Sequence, residues 1–151
     1  MKLAEALHLR ADLQKRIAQL GERLNLNAKV QEGDEPAENP AELLAELERS
    51  TAELARLITA INQTNSATAA DGMTLTAMIA EKDTLSLRLS ILRNFLQNAA
   101  HKVDRYSAKE IRITSTVDIR AEQKKVDQLS KRLRELDVKI QGLNWTTDLI
   151  E

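Results

Sequence analysis

The spacing of aliphatic residues constrains the fold of this chain more than any other feature. In four long stretches these residues recur in alternating steps of three and four, which is typical of a helix that packs one seam against another helix. The stretches predict helices at about 2–27, 40–65, 75–104 and 118–143. A long helix cannot bury its seam alone. We therefore expect an all-α fold in which four long helices form antiparallel, coiled-coil-like hairpins and a helical bundle.

The predicted seams are aliphatic with few interruptions. Arg10, Thr51 and Lys82 are the polar members, and polar residues in such positions specify register and oligomer state at a cost in stability. Helix by helix, the seam residues are Leu3, Ala6, Leu13, Ile17, Leu20 and Leu24; Leu44, Leu47, Leu54, Ile58 and Ile61; Met78, Leu85, Leu89, Leu92, Leu96, Ala99 and Val103; and Ile119, Val126, Leu129, Leu133, Leu136, Ile140 and Leu143.

Turn-forming residues separate the predicted helices. The segment 28–39 is rich in such residues and is predicted to be a loop. Asn39 and Pro40 then provide an N-cap and a first helical residue for the second helix. Asp71 and Gly72 predict a tight turn before the third helix. The last residues, 145–151, are apolar enough that we expect them to dock.

A change of period near 111–117 predicts a short extended segment between the third and fourth helices. Ile111 and Ile113 alternate with polar residues there, which is typical of a strand. So short a strand cannot form a stable sheet alone, and we expect its partner to be another copy of the chain. The expected pairing with another copy and the polar seam residues together favour a homo-oligomer, either a dimer or a higher closed assembly.

Length and composition fit one helical domain spanning 1–151. The chain has 151 residues, of which 42% are hydrophobic and 2% aromatic, so its core is aliphatic, as in a helical bundle. No stretch approaches the ~20 apolar residues that span a membrane. Charged residues interrupt the apolar runs near the N-terminus, so the sequence predicts no signal peptide. We therefore expect a cytoplasmic protein that does not enter a membrane.

Charge does not favour nucleic-acid binding. The formal net charge is -1, so the whole protein has no field that collects polyanions. Three aromatic residues are too few for a platform that stacks successive bases. A basic face on the last helix leaves an RNA-binding arm as an alternative, although the same face would also attract the acidic second helix. The residues of this face are Lys124, Lys125, Lys131, Arg132 and Arg134.

No segment carries a catalytic, nucleotide-binding or metal-binding motif. The chain has no cysteine, which excludes thiolate chemistry. His8 and Asp12 share a helix face and, with His101, would supply metal ligands, but no His-Glu-x-x-His pattern is present. The segment 29–35 lacks the spacing of a calcium-binding EF-hand. We therefore predict no metal and no cofactor, and favour a non-enzymatic helical assembly or interaction protein.

A small-ligand or phosphate-binding protein, with the possibility of an enzyme, is the second hypothesis. Arginine binds phosphate and carboxylate groups in forked geometry, and Arg105 lies beside the predicted extended segment. The long loop at 28–39 exceeds what a helix connection needs, and long loops are often functional. The hypothesis places the site at a subunit junction. Its ligand-binding residues are Arg10, Asp12, Lys29, Gln31, Glu32, Arg105 and Tyr106.

Six stretches match a known family, at 3–7, 10–16, 27–36, 104–107 (Asp-Arg-Tyr-Ser), 116–118 and 144–147 (Asn-Trp-Thr-Thr). In these stretches the chain resembles a family of small bacterial proteins, common in actinobacteria and often named septicolysin. The resemblance covers essentially the whole chain, and His8 is not part of the matching pattern. It implies an α-helical homo-oligomer without an assigned activity. The family name suggests a cytolysin, but no segment is typical of membrane insertion.

Overall fold

Four helices dominate the computed structural model, which describes residues 1–101 and 112–151. The helices are α1 (Leu3–Leu26), α2 (Pro40–Ala67), α3 (Leu75–Ala100) and α4 (Ile119–Thr146). Two short strands, β1 (Ala69–Ala70) and β2 (Met73–Thr74), lie between α2 and α3. The predicted all-α fold with four long helices is confirmed. The expected continuation of the third helix through Val103 lies outside the described residues.

Side-chain caps start α2 and α4. Asn39 accepts a hydrogen bond from the backbone N–H of Ala41 at 3.0 Å, and Pro40 is the first helical residue, as predicted. At α4, the Asp118 carboxylate accepts from the backbone N–H of Ala121 at 3.1 Å. Each cap satisfies one of the N–H groups that a helix leaves unpaired in its first turn. Local sequence therefore sets where both helices begin.

The predicted turn at Asp71 and Gly72 is confirmed and connects β1 to β2. Both residues have positive φ angles, 51° and 77°, as a two-residue hairpin turn of type I′ requires. The strands pair antiparallel in the register Ala69 to Thr74 and Ala70 to Met73. Residues 112–115 belong to neither a helix nor a strand, and Ile111 lies outside the described residues. The pairing of this segment with a second copy stays a prediction.

The chain divides into two compact units. The first, called the terminal unit below, contains Met1–Thr76 and Gln141–Glu151. The second, called the central unit, contains Ala77–Ile140. Helices α3 and α4 each contribute residues to both units. That the whole chain acts as one domain stays a prediction.

In the terminal unit, α1 and α2 form an antiparallel hairpin. Arg16 binds the Glu46 carboxylate at 2.6 Å, and Arg23 binds both carboxylate oxygens of Glu38 through its Nε at 3.0 and 3.2 Å. Leu20 is fully buried in this unit. The buried side chains contributed by the two helices are Leu3, Ala4, Ala6, Leu13 and Leu20 from α1, and Leu43, Ser50, Leu57, Ile61 and Thr64 from α2.

The predicted seam of α2 is wrong at two of its six positions. Leu44 is 55% exposed and Thr51 is exposed, whereas Leu43 and Ser50 are buried. Leu43 and Leu44 are equivalent by residue type, and so are Leu57 and Ile58, so the sequence permits two seams that differ by one residue. One residue turns a helix by about 100°, and the packing against α1 selects the seam that contains Leu43, Ser50 and Leu57.

The C-terminal residues dock on the start of α1, as predicted. The backbone N–H of Leu3 donates to Thr147 O, and that of Leu149 donates to Met1 O, both at 2.9 Å. Lys2 binds the Asp148 carboxylate at 2.7 Å. The N–H of Ile150 donates to the Thr64 hydroxyl at 2.9 Å. We call residues 147–151 the tail; it supplies an acceptor to a helix N-terminus that would otherwise lack one.

In the central unit, α3 and α4 pack as a second antiparallel hairpin. Lys82 binds Asp137 at 2.6 Å, which gives the predicted polar seam residue an ionic partner. Val117, from the non-helical segment before α4, packs against the same core. The predicted seams of these helices are confirmed here: the core consists of Leu85, Leu89, Leu96 and Val126, with Leu92, Leu129 and Leu133 partly buried against it.

Candidate interaction surface

Three large apolar side chains of α3 face solvent in a row. Leu87 is 63% exposed, Ile91 61% and Phe95 44%. They are four residues apart, so they lie on one face of the helix. We call Leu87, Ile91 and Phe95 the α3 stripe. The seam that packs on α4 occupies the other side of the helix, so α3 is apolar on two faces.

The α3 stripe has polar ends whose donors bond within the same helix. The Thr84 hydroxyl, one turn before Leu87, donates to Ala80 O at 2.9 Å. The Asn98 amide, one turn after Phe95 on this face, donates to Asn94 O at 2.9 Å. Covering the stripe would therefore leave these two donors satisfied, which removes a large part of the usual cost of burying polar groups.

Polar contacts with α4 fix the orientation of α3. Arg132 binds Glu81 in forked geometry, with Nε at 2.9 Å and Nη2 at 3.0 Å from the two carboxylate oxygens. Further along the helix, Arg93 Nη2 donates to the Ser130 hydroxyl at 2.8 Å. Forked arginine–carboxylate pairs are geometrically specific. The contacts hold the buried seam against α4 and keep the α3 stripe facing solvent.

The sequence carries a signal for the α3 stripe that our prediction did not use. Leu87, Ile91 and Phe95 recur every four residues, but so do Leu85 and Leu89. We assigned one seam to each helix, and a helix with two apolar faces violates that assumption. The second face becomes visible only when α4 is seen to cover Leu85 and Leu89.

The predicted ligand-binding residues that the structure describes do not converge within one chain. Arg10 is half-buried on α1, and its Nε has no hydrogen-bond partner in the described part of the chain. Helix α1 extends about 24 Å beyond Arg10 at 1.5 Å per residue before the loop begins. The hypothesis placed the site at a subunit junction, so it stays a prediction. Asp12, Lys29, Gln31 and Glu32 are exposed, and Arg105 and Tyr106 lie outside the described residues.

The loop after α1 is pinned at its base. Asn27 is buried; its amide donates to Arg23 O at 2.8 Å, and its side-chain oxygen accepts from the Glu38 N–H at 2.9 Å. Inside the loop, the N–H of Asp34 donates to Gln31 O at 3.0 Å. The end of α1 and the approach to α2 are thereby tied together, and the exposed residues between them project from a fixed base.

The histidines considered as metal ligands have other surroundings. The His8 ring lies 6.4 Å from the Trp145 ring, centroid to centroid, at a tilt of 45°. His101 is exposed at the end of α3. Within residues 1–101 and 112–151, no group of three or more histidine, aspartate and glutamate side chains is arranged to hold a metal ion. The same residues contain no helix long and apolar enough to cross a membrane.

An open groove of about 590 Å³ lies on the terminal unit. Its apolar surface comes from Leu9, Leu57 and Ala60, and Glu53 and Arg56 provide charges of opposite sign. Glu151, in the tail, lines the same groove. No sequence pattern predicted this groove, because it joins parts of α1, α2 and the tail that are far apart along the chain. None of the predicted ligand-binding residues within 1–101 and 112–151 lines it.

The basic face of α4 is largely engaged in ion pairs. Lys125 binds Glu122 at 2.8 Å and Lys131 lies 3.8 Å from Glu135, both within the helix. Arg132 is held by Glu81 on α3. A carboxylate beside a cation weakens the field that attracts phosphate groups. These ion pairs weaken the RNA-binding alternative, which the sequence had based on the basic residues of this face.

We predict that acid destabilises the α1–α2 hairpin. Hydrogen bonds from Arg23 and Arg16 lower the pKa values of Glu38 and Glu46 below their ordinary value of 4.5. A carboxyl group with a lower pKa in the folded state contributes stability that is present above its unfolded pKa and lost as pH falls through its folded pKa. Urea unfolding between neutral pH and about pH 3 should therefore show stability falling below roughly pH 4.5.

The control for the acid effect is the double variant Glu38→Gln and Glu46→Gln, which keeps hydrogen-bonding side chains but cannot titrate at these positions. Its free energy of unfolding should depend less steeply on pH in the acid range than that of the unchanged chain. Equal slopes for the two proteins would contradict the assignment of the acid effect to these pairs.

Comparison with known proteins gives a family and a structure but no activity. A model for a family of unknown function, DUF6847, matches residues 10–149. The fold is similar to the crystal structure of a functionally unknown conserved protein from Corynebacterium diphtheriae, with 44% sequence identity, a TM-score of 0.90 and 99% of each chain covered. No curated protein matches. Neither the family nor that structure bears the septicolysin name, so that resemblance stays a prediction.

Proposed function

This chain belongs to the family of unknown function DUF6847, and we propose that it is a non-enzymatic helical assembly protein that self-associates through the α3 stripe. The observation that carries the proposal is a row of large apolar side chains, Leu87, Ile91 and Phe95, exposed on a helix whose other face is already buried. Contiguous exposed apolar surface marks interaction sites. A second helix covering such a face is the usual arrangement in helical bundles.

The architecture of the central unit supports the proposal. Two helices bury one seam between them and leave their outer faces in contact with water. Joining two such hairpins through α3 would give a four-helix arrangement in which both apolar faces of α3 are covered. The stripe carries no charge, and Arg88 and Asp83 lie at its sides. Depletion of charge at the centre with charge at the rim is typical of protein interfaces.

The size of the α3 stripe sets the expected strength of association. Fully burying a leucine, isoleucine or phenylalanine side chain contributes about 1.5–3 kcal/mol. Roughly half of each stripe side chain remains to be buried, so six side chains from two copies contribute on the order of 5–9 kcal/mol. Association costs at least about 4 kcal/mol in lost freedom. The difference is at most about 5 kcal/mol, so we expect a dissociation constant of about 0.2 mM or weaker, and dilution therefore separates the copies.

Ile91→Asp should abolish this association at protein concentrations where the unchanged chain associates. The substitution places a carboxylate at the centre of the stripe, where pairing would bury it without a partner. We expect the dissociation constant to rise at least about tenfold, which corresponds to about 1.4 kcal/mol. Sedimentation equilibrium measures the constant, and far-ultraviolet circular dichroism checks that the helical content is unchanged.

Gln97→Asp is the matched control. Gln97 is exposed on the same helix but away from the α3 stripe, so the variant adds the same charge without entering the proposed contact. It should associate like the unchanged chain. If Ile91→Asp associates as strongly as Gln97→Asp, the α3 stripe is not the contact surface and the proposal fails.

A further inference from the structure

We propose that the groove on the terminal unit binds a small amphipathic cation, with an aliphatic body on the groove floor and an ammonium or guanidinium group at the Glu53 carboxylate. The groove has a volume of about 590 Å³ and is lined by residues of α1, α2 and the tail. The inference is independent of the proposed self-association, because the groove lies on the terminal unit and the α3 stripe on the central unit.

Arginine–glutamate pairs follow one side of the α1–α2 hairpin. Arg16 binds Glu46, and Arg23, seven residues later, binds Glu38. Seven residues are nearly two turns of a helix, so Arg16 and Arg23 lie on the same face of α1. An arginine beside an apolar seam lays its aliphatic stem along the seam and keeps its charged end in water. Such a pair both covers the side of the seam and neutralises a carboxylate.

The next position in this row of pairs has a carboxylate but no arginine. Seven residues before Arg16 the chain has Leu9, and seven residues after Glu46 it has Glu53. Leu9 and Glu53 both line the groove, so they lie on the same side of the hairpin, as the spacing predicts. Glu53 forms no ion pair within the parts of the chain that the structure describes. The groove therefore lies where Leu9 stands in place of an arginine.

The floor and the size of the groove fit a small ligand. Leu57 is buried and Ala60 is half-buried, and both line the groove together with Leu9. On α2 the lining residues run from Glu53 to Gln63, which is about 15 Å at 1.5 Å per residue. A volume of about 590 Å³ falls within the roughly 300–1,000 Å³ of small-molecule sites. A protein partner would need about 800 Å² on each side, which extends well beyond the groove.

The charges at the groove favour a cation. Glu53 and Glu151 are acidic, whereas Arg56 is the basic residue of the lining. Arg56 comes one residue before the buried Leu57 and therefore lies about 100° around α2 from it. Glu53 lies one turn before Leu57, on the same face of the helix. A ligand whose apolar body covers Leu57 therefore has a carboxylate beside it, and complementary charge favours the matching ion.

Hexylguanidinium is the probe, because it reproduces the stem and the charge of an arginine side chain. Titrated into isotope-labelled protein, it should shift the backbone amide resonances of Leu9, Leu57 and Ala60 until they saturate, with a millimolar dissociation constant. Hexanoate, of equal chain length and opposite charge, should bind at least about threefold more weakly. Equal or tighter binding of hexanoate would overturn the proposal. No saturable shift at these residues up to about 50 mM hexylguanidinium would also overturn it.

Variants at Glu53 and Leu9 test the assignment of the cation. Glu53→Gln should weaken hexylguanidinium binding about two- to fivefold, the effect expected of an exposed ion pair. Glu48→Gln, at an exposed position of α2 outside the groove, should bind like the unchanged chain. Leu9→Arg adds an arginine that pairs with Glu53 and covers the floor, so it should weaken binding at least about tenfold. Equal binding by the two glutamine variants, or undiminished binding by folded Leu9→Arg, would contradict the proposal.

Discussion

Leu89→Ala should lower the free energy of unfolding by about 2–5 kcal/mol. Leu89 is fully buried in the core of the central unit, with Leu85, Leu96 and Val126 in the same cluster. Removing its outer carbons leaves a cavity between α3 and α4 that these neighbours fill only in part. The polar contacts at Glu81 and Lys82 hold the two helices in place on either side of the cavity. Urea unfolding followed by circular dichroism measures the loss.

Leu87→Ala is the matched control, two residues away on the same helix. Leu87 is 63% exposed, and substitutions at the surface usually change stability by less than about 0.5 kcal/mol. At low protein concentration we expect a change of that size. At high concentration the loss should grow, because Leu87 then contributes to association and association adds to stability. Equal losses for the two variants in dilute solution would contradict the assignment of buried and exposed faces on α3.

Deletion of the tail, residues 147–151, should destabilise the terminal unit by about 2–4 kcal/mol. The deletion removes the acceptor for the N–H of Leu3 and the donors from Leu149 and Ile150 to Met1 O and the Thr64 hydroxyl. Each lost hydrogen bond contributes about 1 kcal/mol net, and the contributions are coupled. Hydrogen exchange of the first turn of α1 should accelerate together with the loss measured by urea unfolding.

Two point variants locate the effect of the tail. Thr64→Val keeps the shape of a fully buried side chain but removes the hydroxyl that accepts from Ile150, and it should reproduce about 1–2 kcal/mol of the loss. Asp148→Asn removes only an ion pair whose acidic partner is mostly exposed, and it should leave stability nearly unchanged. If Asp148→Asn were as damaging as the deletion, the ion pair and not the backbone contacts would hold the tail.

The sequence predicted where the helices begin because helix caps and turns depend on neighbouring residues. Asn39, Pro40 and the Asp71-Gly72 turn act through caps and backbone angles that involve only a few neighbouring residues. The face that α2 presents to α1 has no such local cause. Leu43 and Leu44 are the same residue type and differ only in which of them packs against α1, a contact between residues that are far apart along the sequence. The error in the α2 seam therefore follows from the information that a single helix contains.

The candidate surfaces illustrate the same distinction. The α3 stripe required knowledge of which leucines α4 covers, since Leu87 and Leu89 are identical in type and two residues apart. The predicted ligand-binding residues were grouped by chemistry, and the length of α1 then separates Arg10 from Lys29 within one chain. The groove near Leu9 and Leu57 depends on how the tail returns to α1, which no periodic pattern encodes. Sequence therefore predicted the elements well and their contact surfaces only in part.

Self-association through α3 is measured by light scattering over a range of protein concentrations. The measurement is made on the unchanged chain at low and at high salt. We expect an average mass that rises with concentration from 16.9 kDa toward twice that value. The rise should be preserved at high salt, because an apolar contact is not weakened by screening. A mass that stays at 16.9 kDa up to concentrations of about 1 mM, well above the expected dissociation constant, would contradict self-association through α3.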